Sequence, residues 1–217
     1  MRVTLVSSSN SPSSGEQNIL YLVSYCARVS NPGNQHVTDT NEKLIRYLIK
    51  NHHWSPFEMV SICLEIETTR DIARQILRHR SFSFQEFSQR YAIADLGFEW
   101  KDARLQDTKN RQNSIETDDE ILQNEWISKQ KDLADATKDA YDWAIKNGIA
   151  KEQARAILPE GNTVTRMYMN GTLRSWIHYI QLRSGNGTQK EHREVALACA
   201  DVIEPLFPMI KEFVSKV

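Results

Sequence analysis

Arginine is the residue whose spacing first suggests chemistry. Arg70, Arg74 and Arg78 recur at every fourth position, which on a helix places three guanidinium groups along one face. His79, Arg80 and Arg90 follow closely. The chain carries 27 Lys and Arg against 28 Asp and Glu, a net charge of −1, so this stretch concentrates positive charge in a near-neutral protein. A guanidinium offers a planar fork of donors and stays charged near neutral pH, which suits phosphate and carboxylate ligands. A solvated basic helix face has the same signature. Gln85, Glu86, Ser88 and Gln89 add donors and acceptors of the kind a buried uracil-like base and ribose require. Phe84, Phe87 and Tyr91 supply apolar walls or stacking surfaces; the two phenylalanines read as core. A second polar group, Arg174, His178 and Gln181, recurs at helical spacing, with Trp176, Ile177 and Ile180 facing the core.

These groups must be positioned by recognisable elements. Ser7 to Gly15 reads as a serine-rich loop, and Gln17 to Val29 has a helical period. A turn at Asn31-Pro32-Gly33-Asn34 precedes a helix on Leu44, Ile45, Leu48 and Ile49, capped by Asp39 or Thr40. Val60, Ile62, Leu64 and Ile66 alternate with polar residues, the clearest strand in the chain. Asp71 is placed to cap the arginine-bearing helix. Phe82 to Tyr91 reads as a second strand or an extended loop. Lys101 to Asp119 reads as an exposed excursion, and Ile121 to Lys146 as a long helix on Leu122, Trp126, Leu133, Ala136, Ala140 and Trp143, stopped at Asn147-Gly148. Ala150 to Leu158, Leu173 to Arg183 and Gln189 to Val217 complete the helices, the last broken at Pro205 and Pro208. Strands are not interleaved as βαβ units, which favours α+β.

Composition excludes several classes. The 217 residues, 40% hydrophobic and 25% charged, suit one soluble globular domain over 1–217. No apolar run is long enough to span a membrane, and the N-terminus does not read as a signal peptide. The net charge gives no case for nucleic acid. Cys26, Cys63 and Cys199 are scattered without metal-ligand spacing, which argues for a reducing compartment, the cytoplasm, and against structural zinc. None has a neighbouring histidine in sequence to activate it. His36, His52 and His192 read as surface residues; His53 is open between a functional and a buried, satisfied reading. No GxGxxG or Walker-type loop is present.

Arg78-His79-Arg80, seven residues, then Ser88-Gln89-Arg90 resembles the RHR-x7-S-x-R motif of flavin-dependent thymidylate synthases. His53-Trp54-Ser55-Pro56-Phe57-Glu58, Ala27-Arg28-Val29-Ser30, Ala154 to Pro159 and Leu173 to Arg183 also resemble segments of that family, in its order. The match departs from the family pattern at Met59, Gln89, Pro159 to Asn162 and Ser184 to Gly187.

The resemblance implies a mixed or antiparallel sheet flanked by long helices, in a homotetramer with shared active sites. It implies that Gln75, Arg78, Glu86, Phe87, Ser88, Gln89, Arg90, Arg155 and Arg183 hold deoxyuridine monophosphate (dUMP). Ser30, Ser55, Glu58, Arg78, His79, Arg80, Thr172, Arg174 and His178 would contact FAD. NADPH and 5,10-methylenetetrahydrofolate would be the co-substrates, with no metal, nucleic acid or membrane involved. Arg183 would sit against the uracil and favour its ionised N3, since preorganised charge beside a forming anion is often the largest catalytic contribution. An arginine–histidine face at Arg174 and His178 is consistent with a flavin phosphate or ring, and equally with a surface helix. Two rivals remain at this stage: a nucleic-acid-binding module, and a nucleotide-binding flavoprotein of other activity such as a reductase.

Overall fold

The computed structural model describes residues 1–10 and 19–215; most of the serine-rich segment lies outside them. Its elements run β1 (Arg2–Ser8), α1 (Ile19–Ala27), α2 (Asn41–Lys50), β2 (Ser61–Thr69), α3 (Arg70–Ile76), β3 (Phe82–Glu86), β4 (Arg104–Gln106), β5 (Ser114–Glu116), α4 (Glu120–Lys146), α5 (Lys151–Ala154), β6 (Val164–Thr172), α6 (Leu173–Arg183) and α7 (Lys190–Ile203). Four strands form one antiparallel sheet in the order β1-β2-β6-β3. Helices and a separate antiparallel hairpin of β4 and β5 complete an α+β fold.

β2 has the alternation expected of it. Ile62, Leu64 and Ile66 are buried, and Glu65 and Glu67 take the other face, where both reach Arg2 and Arg166. Met167 and Met169 of β6 continue the buried face. It packs with Ile72 and Ile76 of α3, Trp176 and Ile180 of α6, and Val195, Cys199 and Ile203 of α7. Trp176 donates its indole N–H to the carbonyl of Ile62 (3.0 Å), which removes the cost of burying an unpaired donor.

The central strand β6 and the edge strand β1 were not foreseen. Met is not a strongly strand-forming residue, and Asn170-Gly171 reads as a turn. In the sheet Gly171 faces Phe82: a Cβ there would lie 2.4 Å from the ring's Cδ1, so the glycine makes room for an aromatic ring of β3. Strand β3 ends at Glu86, and residues 87–91 leave as a turn around Ser88. Phe84 packs against the core as anticipated; Phe87 is partly buried and Tyr91 exposed.

Other expectations need correction. Helix α3 begins after Thr69, which occupies the cap position, so Asp71 lies in its first turn and accepts a hydrogen bond from the Thr69 hydroxyl. Segment 101–119 is mostly exposed and contains the β4–β5 hairpin; Arg104 reaches Glu191 on α7 (2.7 Å), and Gln130 of α4 bonds both backbone groups of Lys101. Helix α4 is capped by Asp119 and stopped before Gly148 (φ 77°). It turns Gln130, Ala134, Thr137, Tyr141 and Ala144 inward, while Trp126, Leu133 and Trp143 of the expected apolar stripe are exposed. His192 is fully buried and His53 is exposed, the reverse of the surface reading for His192 and against the buried reading for His53.

Candidate active site

Helix α3 carries the arginines, but its stripe is mostly paired. Arg70 lies 3.3 Å from Glu86, and Arg74 forks onto Glu160. Arg78 stands beyond the last turn and is exposed. Arg70 Nη1 is buried without a hydrogen-bond partner among the described residues. Arg70, Arg74, buried Gln89 and Arg155 line one open cavity of about 370 Å³, together with Glu152 and Glu160. Arg90 lies beside it, 3.5 Å from Glu152. Three guanidinium groups around a cavity of that size suit a phosphate.

The second group is centred on Arg183, at the end of α6. Its Nε–H donates to His79 Nε2 (2.9 Å). This bond joins the Arg-His-Arg motif to a residue over a hundred positions later. His79 must be neutral to accept, and burial, reinforced by the Arg183 charge, lowers its pKa to about 4. Behind it lies His192, lowered to about 3 by burial and then by Arg183. His192 Nδ1 meets Gln75 Oε1 (3.3 Å), and its Nε2 meets the Tyr179 hydroxyl (3.2 Å). Burial raises the Tyr179 pKa well above its usual value, so the phenol keeps its proton and donates it. Gln75 Nε2 donates onward to Gln189 (2.7 Å). The network therefore assigns N–H to His192 Nδ1 and leaves its Nε2 as acceptor. It fixes Gln75 from within the core. Sequence reasoning assigned no role to Tyr179, Gln189 or His192; the only signal was the buried-face position of Tyr179 and His192 on their helices.

The third group lies at the start of α6. Thr172 caps that helix, accepting from Ser175 N (3.2 Å) and donating to Glu58 (2.7 Å). The other oxygen of Glu58 accepts from Arg174 (2.8 Å). Glu58, Arg174 and His178 line an open groove of about 600 Å³ with His52, Trp54 and Phe213. Basic groups beside aromatic and apolar walls fit a ring with a phosphate attached, so the residues present suit FAD. Ser55 is exposed in the short 3-10 turn leading to Glu58. Ser30 and Arg80 are exposed and line none of these three sites. Arg28, next to Ser30, is structural: it donates to Val37 O, Asn41 Oδ1 and Thr40 Oγ1 at 2.7 to 2.9 Å.

Nine of the expected ligand residues thus fall into three groups: Gln89 and Arg155 in one cavity, Gln75, His79 and Arg183 in a linked, part-buried cluster, and Glu58, Thr172, Arg174 and His178 at a groove; Ser30, Arg78 and Arg80 lie in none of them. Among the described residues no cluster fit to hold a metal ion occurs, and no helix is long and apolar enough to cross a membrane. Burial raises the pKa of Cys26, Cys63 and Cys199, so none is poised as a thiolate nucleophile.

Comparison with known proteins matches this arrangement to one family. The model of the thymidylate synthase complementing protein family matches residues 13–209. The chain is 51% identical over 189 residues to a flavin-dependent thymidylate synthase of Synechocystis sp., covering 87% of this chain and 86% of that one. It is 50% identical to a probable flavin-dependent thymidylate synthase of Paramecium bursaria Chlorella virus 1, covering 87% of each. Among solved structures it resembles a UMP/dUMP methylase, PolB, of Streptomyces cacaoi bound with 5-Br dUMP, with a TM-score of 0.81 and 27% identity over 97% of this chain and 93% of that one. On the extent of these matches, the chain belongs to the flavin-dependent thymidylate synthase family.

Proposed function

We propose that this chain, acting as one domain, converts dUMP to thymidine monophosphate by reductive methylation, with 5,10-methylenetetrahydrofolate as carbon donor. Bound FAD, reduced by NADPH, supplies the hydride that turns a transferred methylene into a methyl group. The observation that carries the reading is the bond from Arg183 Nε to neutral His79. It spends one edge of the guanidinium on the protein and leaves the terminal fork for a ligand.

The residues divide the work. Gln75, held by His192 and Gln189, and Arg78 and Arg183 contact the pyrimidine nucleotide. Arg183 stabilises negative charge as N3 of the uracil ionises, which raises electron density at C5. His79, being neutral, orients Arg183 without repelling it. Glu86, Phe87, Ser88, Gln89, Arg90 and Arg155 hold the sugar and phosphate. Glu58, Thr172, Arg174 and His178 would hold the flavin; Ser30 and Arg80, which do not line that groove within one chain, would contribute with Ser55, Arg78 and His79 only where subunits share the site.

We further infer a homotetramer with shared active sites. Its support is twofold: the expected ligand residues divide between two cavities and a part-buried cluster of one chain, and α4 leaves Ile121, Trp126, Leu133 and Trp143 uncovered, an apolar stripe that suits a partner subunit. Light scattering on the purified protein tests the subunit count. A cytoplasmic address agrees with three free thiols among the described residues. Tritium release from C5-tritiated dUMP, with FAD, NADPH and the folate present, tests the reaction. Arg183→Ala should lower turnover roughly a hundredfold or more, the size typical of removing one preorganised donor. Wild-type turnover in that variant would refute the role of Arg183, and no release from the parent protein would refute the reaction.

A further inference from the structure

A cavity of about 420 Å³ lies between the β4–β5 hairpin and the start of α7, and its walls are strongly basic. Arg104 and Arg111 stand on the hairpin side, Lys190 and Arg193 on the helix side, and Glu116 is the one carboxylate lining it. Two of the cations are already engaged. Arg104 reaches Glu191 (2.7 Å), with its other terminal nitrogen, Nη1, buried and lacking a hydrogen-bond partner. Lys190 sits between Glu116 (2.9 Å) and Asp102 (3.2 Å). Arg111 on the hairpin side and Arg193 on the helix side also line it, and neither forms an ion pair among the described residues.

The cavity is not isolated from the nucleotide group. Gln189 lines it and accepts from Gln75, and Gln75 is bonded to His192. The chain Tyr179–His192–Gln75–Gln189–Glu191–Arg104 runs unbroken from the core to the cavity wall. Gln75, assigned above to the nucleotide, is thus one hydrogen bond away from a residue that lines the cavity.

We propose that this cavity binds the oxyanion-bearing tail of a co-substrate through Arg111 and Arg193. The proposal rests on the reaction given above. That reaction offers two sources of such a tail: the γ-glutamyl carboxylates of the folate and the 2′-phosphate of NADPH. Both present several acceptor oxygens to guanidinium forks. Charge at this site raises co-substrate affinity without touching the reacting atoms.

The test uses calorimetric binding to the full-length protein. The probes are folic acid with one or three γ-linked glutamates, and 2′,5′-ADP against 5′-AMP. Arg111→Ser with Arg193→Ser should weaken the triglutamate or 2′,5′-ADP by roughly tenfold to a hundredfold, the loss of one or two charge-assisted bonds. The monoglutamate and 5′-AMP should bind as before, and the matching KM should rise at unchanged kcat. A loss confined to the triglutamate assigns the site to folate; one confined to 2′,5′-ADP assigns it to NADPH. Lys109→Ser, on the same hairpin but outside the lining, removes one charge as a control. Unchanged affinity for both tailed probes, or an equal loss in the control, overturns the proposal. Absence of tritium release from the parent protein would instead overturn the reaction, so the two failures are distinguishable.

Discussion

Replacing His192 by Leu tests the buried network most directly, because its effect should depend on pH. His192 is fully buried and bonded to Tyr179 and Gln75. Leucine is similar in size, so little cavity forms. The loss at pH 8 comes from the Tyr179 hydroxyl, which is fully buried, and from Gln75, which is half-buried. Leaving the buried hydroxyl unpaired costs about 1–3 kcal/mol, and the half-buried amide, still bonded to Gln189, about 1 kcal/mol, or roughly 2–4 kcal/mol together. In the folded protein His192 titrates at about 3. In the unfolded chain it titrates near the ordinary histidine value of about 6.5. Between those values the unfolded state binds the extra proton, so wild-type stability falls as pH falls through 6.5 toward 3. At about 1.4 kcal/mol per pH unit, the wild type loses about 2 kcal/mol from this group by pH 5. The variant has no such group and escapes that loss; His79 is present in both proteins and cancels. The destabilisation should therefore shrink from roughly 2–4 kcal/mol at pH 8 to roughly 0–2 kcal/mol at pH 5. Urea unfolding of both proteins at pH 8, 6.5 and 5 measures it. A difference independent of pH would show that His192 is not held neutral. A difference below about 0.5 kcal/mol at pH 8 would show that its two bonds contribute little.

Gly171→Ala should destabilise by about 1–3 kcal/mol through overpacking, since the added Cβ meets the Phe82 ring at 2.4 Å; calorimetry should show a melting temperature lower by several degrees, and no shift would mean β3 moves away freely. Arg28→Ala strips donors from Val37 O, Thr40 and Asn41, for a loss of roughly 2–4 kcal/mol in denaturant unfolding; wild-type stability would contradict its structural role. Glu58→Gln keeps an acceptor for one partner but loses the charge that holds Arg174. FAD affinity, followed by flavin fluorescence, should fall roughly five- to tenfold. Unchanged affinity would remove Glu58 and its hold on Arg174 from the flavin groove.

Much of the architecture was legible in the sequence for definite reasons. β2 declared itself because one face is buried and the other polar, which writes a period of two. Helix α6 declared itself through Trp176, Ile177 and Ile180 against Arg174, His178 and Gln181. The family motif, Arg78-His79-Arg80 and Ser88-Gln89-Arg90, was legible because its residue types and spacing lie within one short stretch. β6 stayed hidden because its inward residues are Thr165, Met167, Met169 and Gly171, none of which is read as a strand core by type. Its glycine is explained only by the ring of Phe82 on the neighbouring strand.

The sequence by itself determined the family, the α+β class and the concentration of arginine between residues 70 and 90. Only the tertiary structure decided what each charge does. Arg70 and Arg74 are engaged by Glu86 and Glu160, residues that lie close to them only in the folded chain. Arg183 is aimed by His79, and His192, which looked like a surface residue, is buried between Tyr179 and Gln75. The apolar stripe of α4 reads as core in one dimension and is exposed in three. Periodicity reports which side chains share a face, but whether that face meets the core, a ligand or another subunit depends on packing between distant segments.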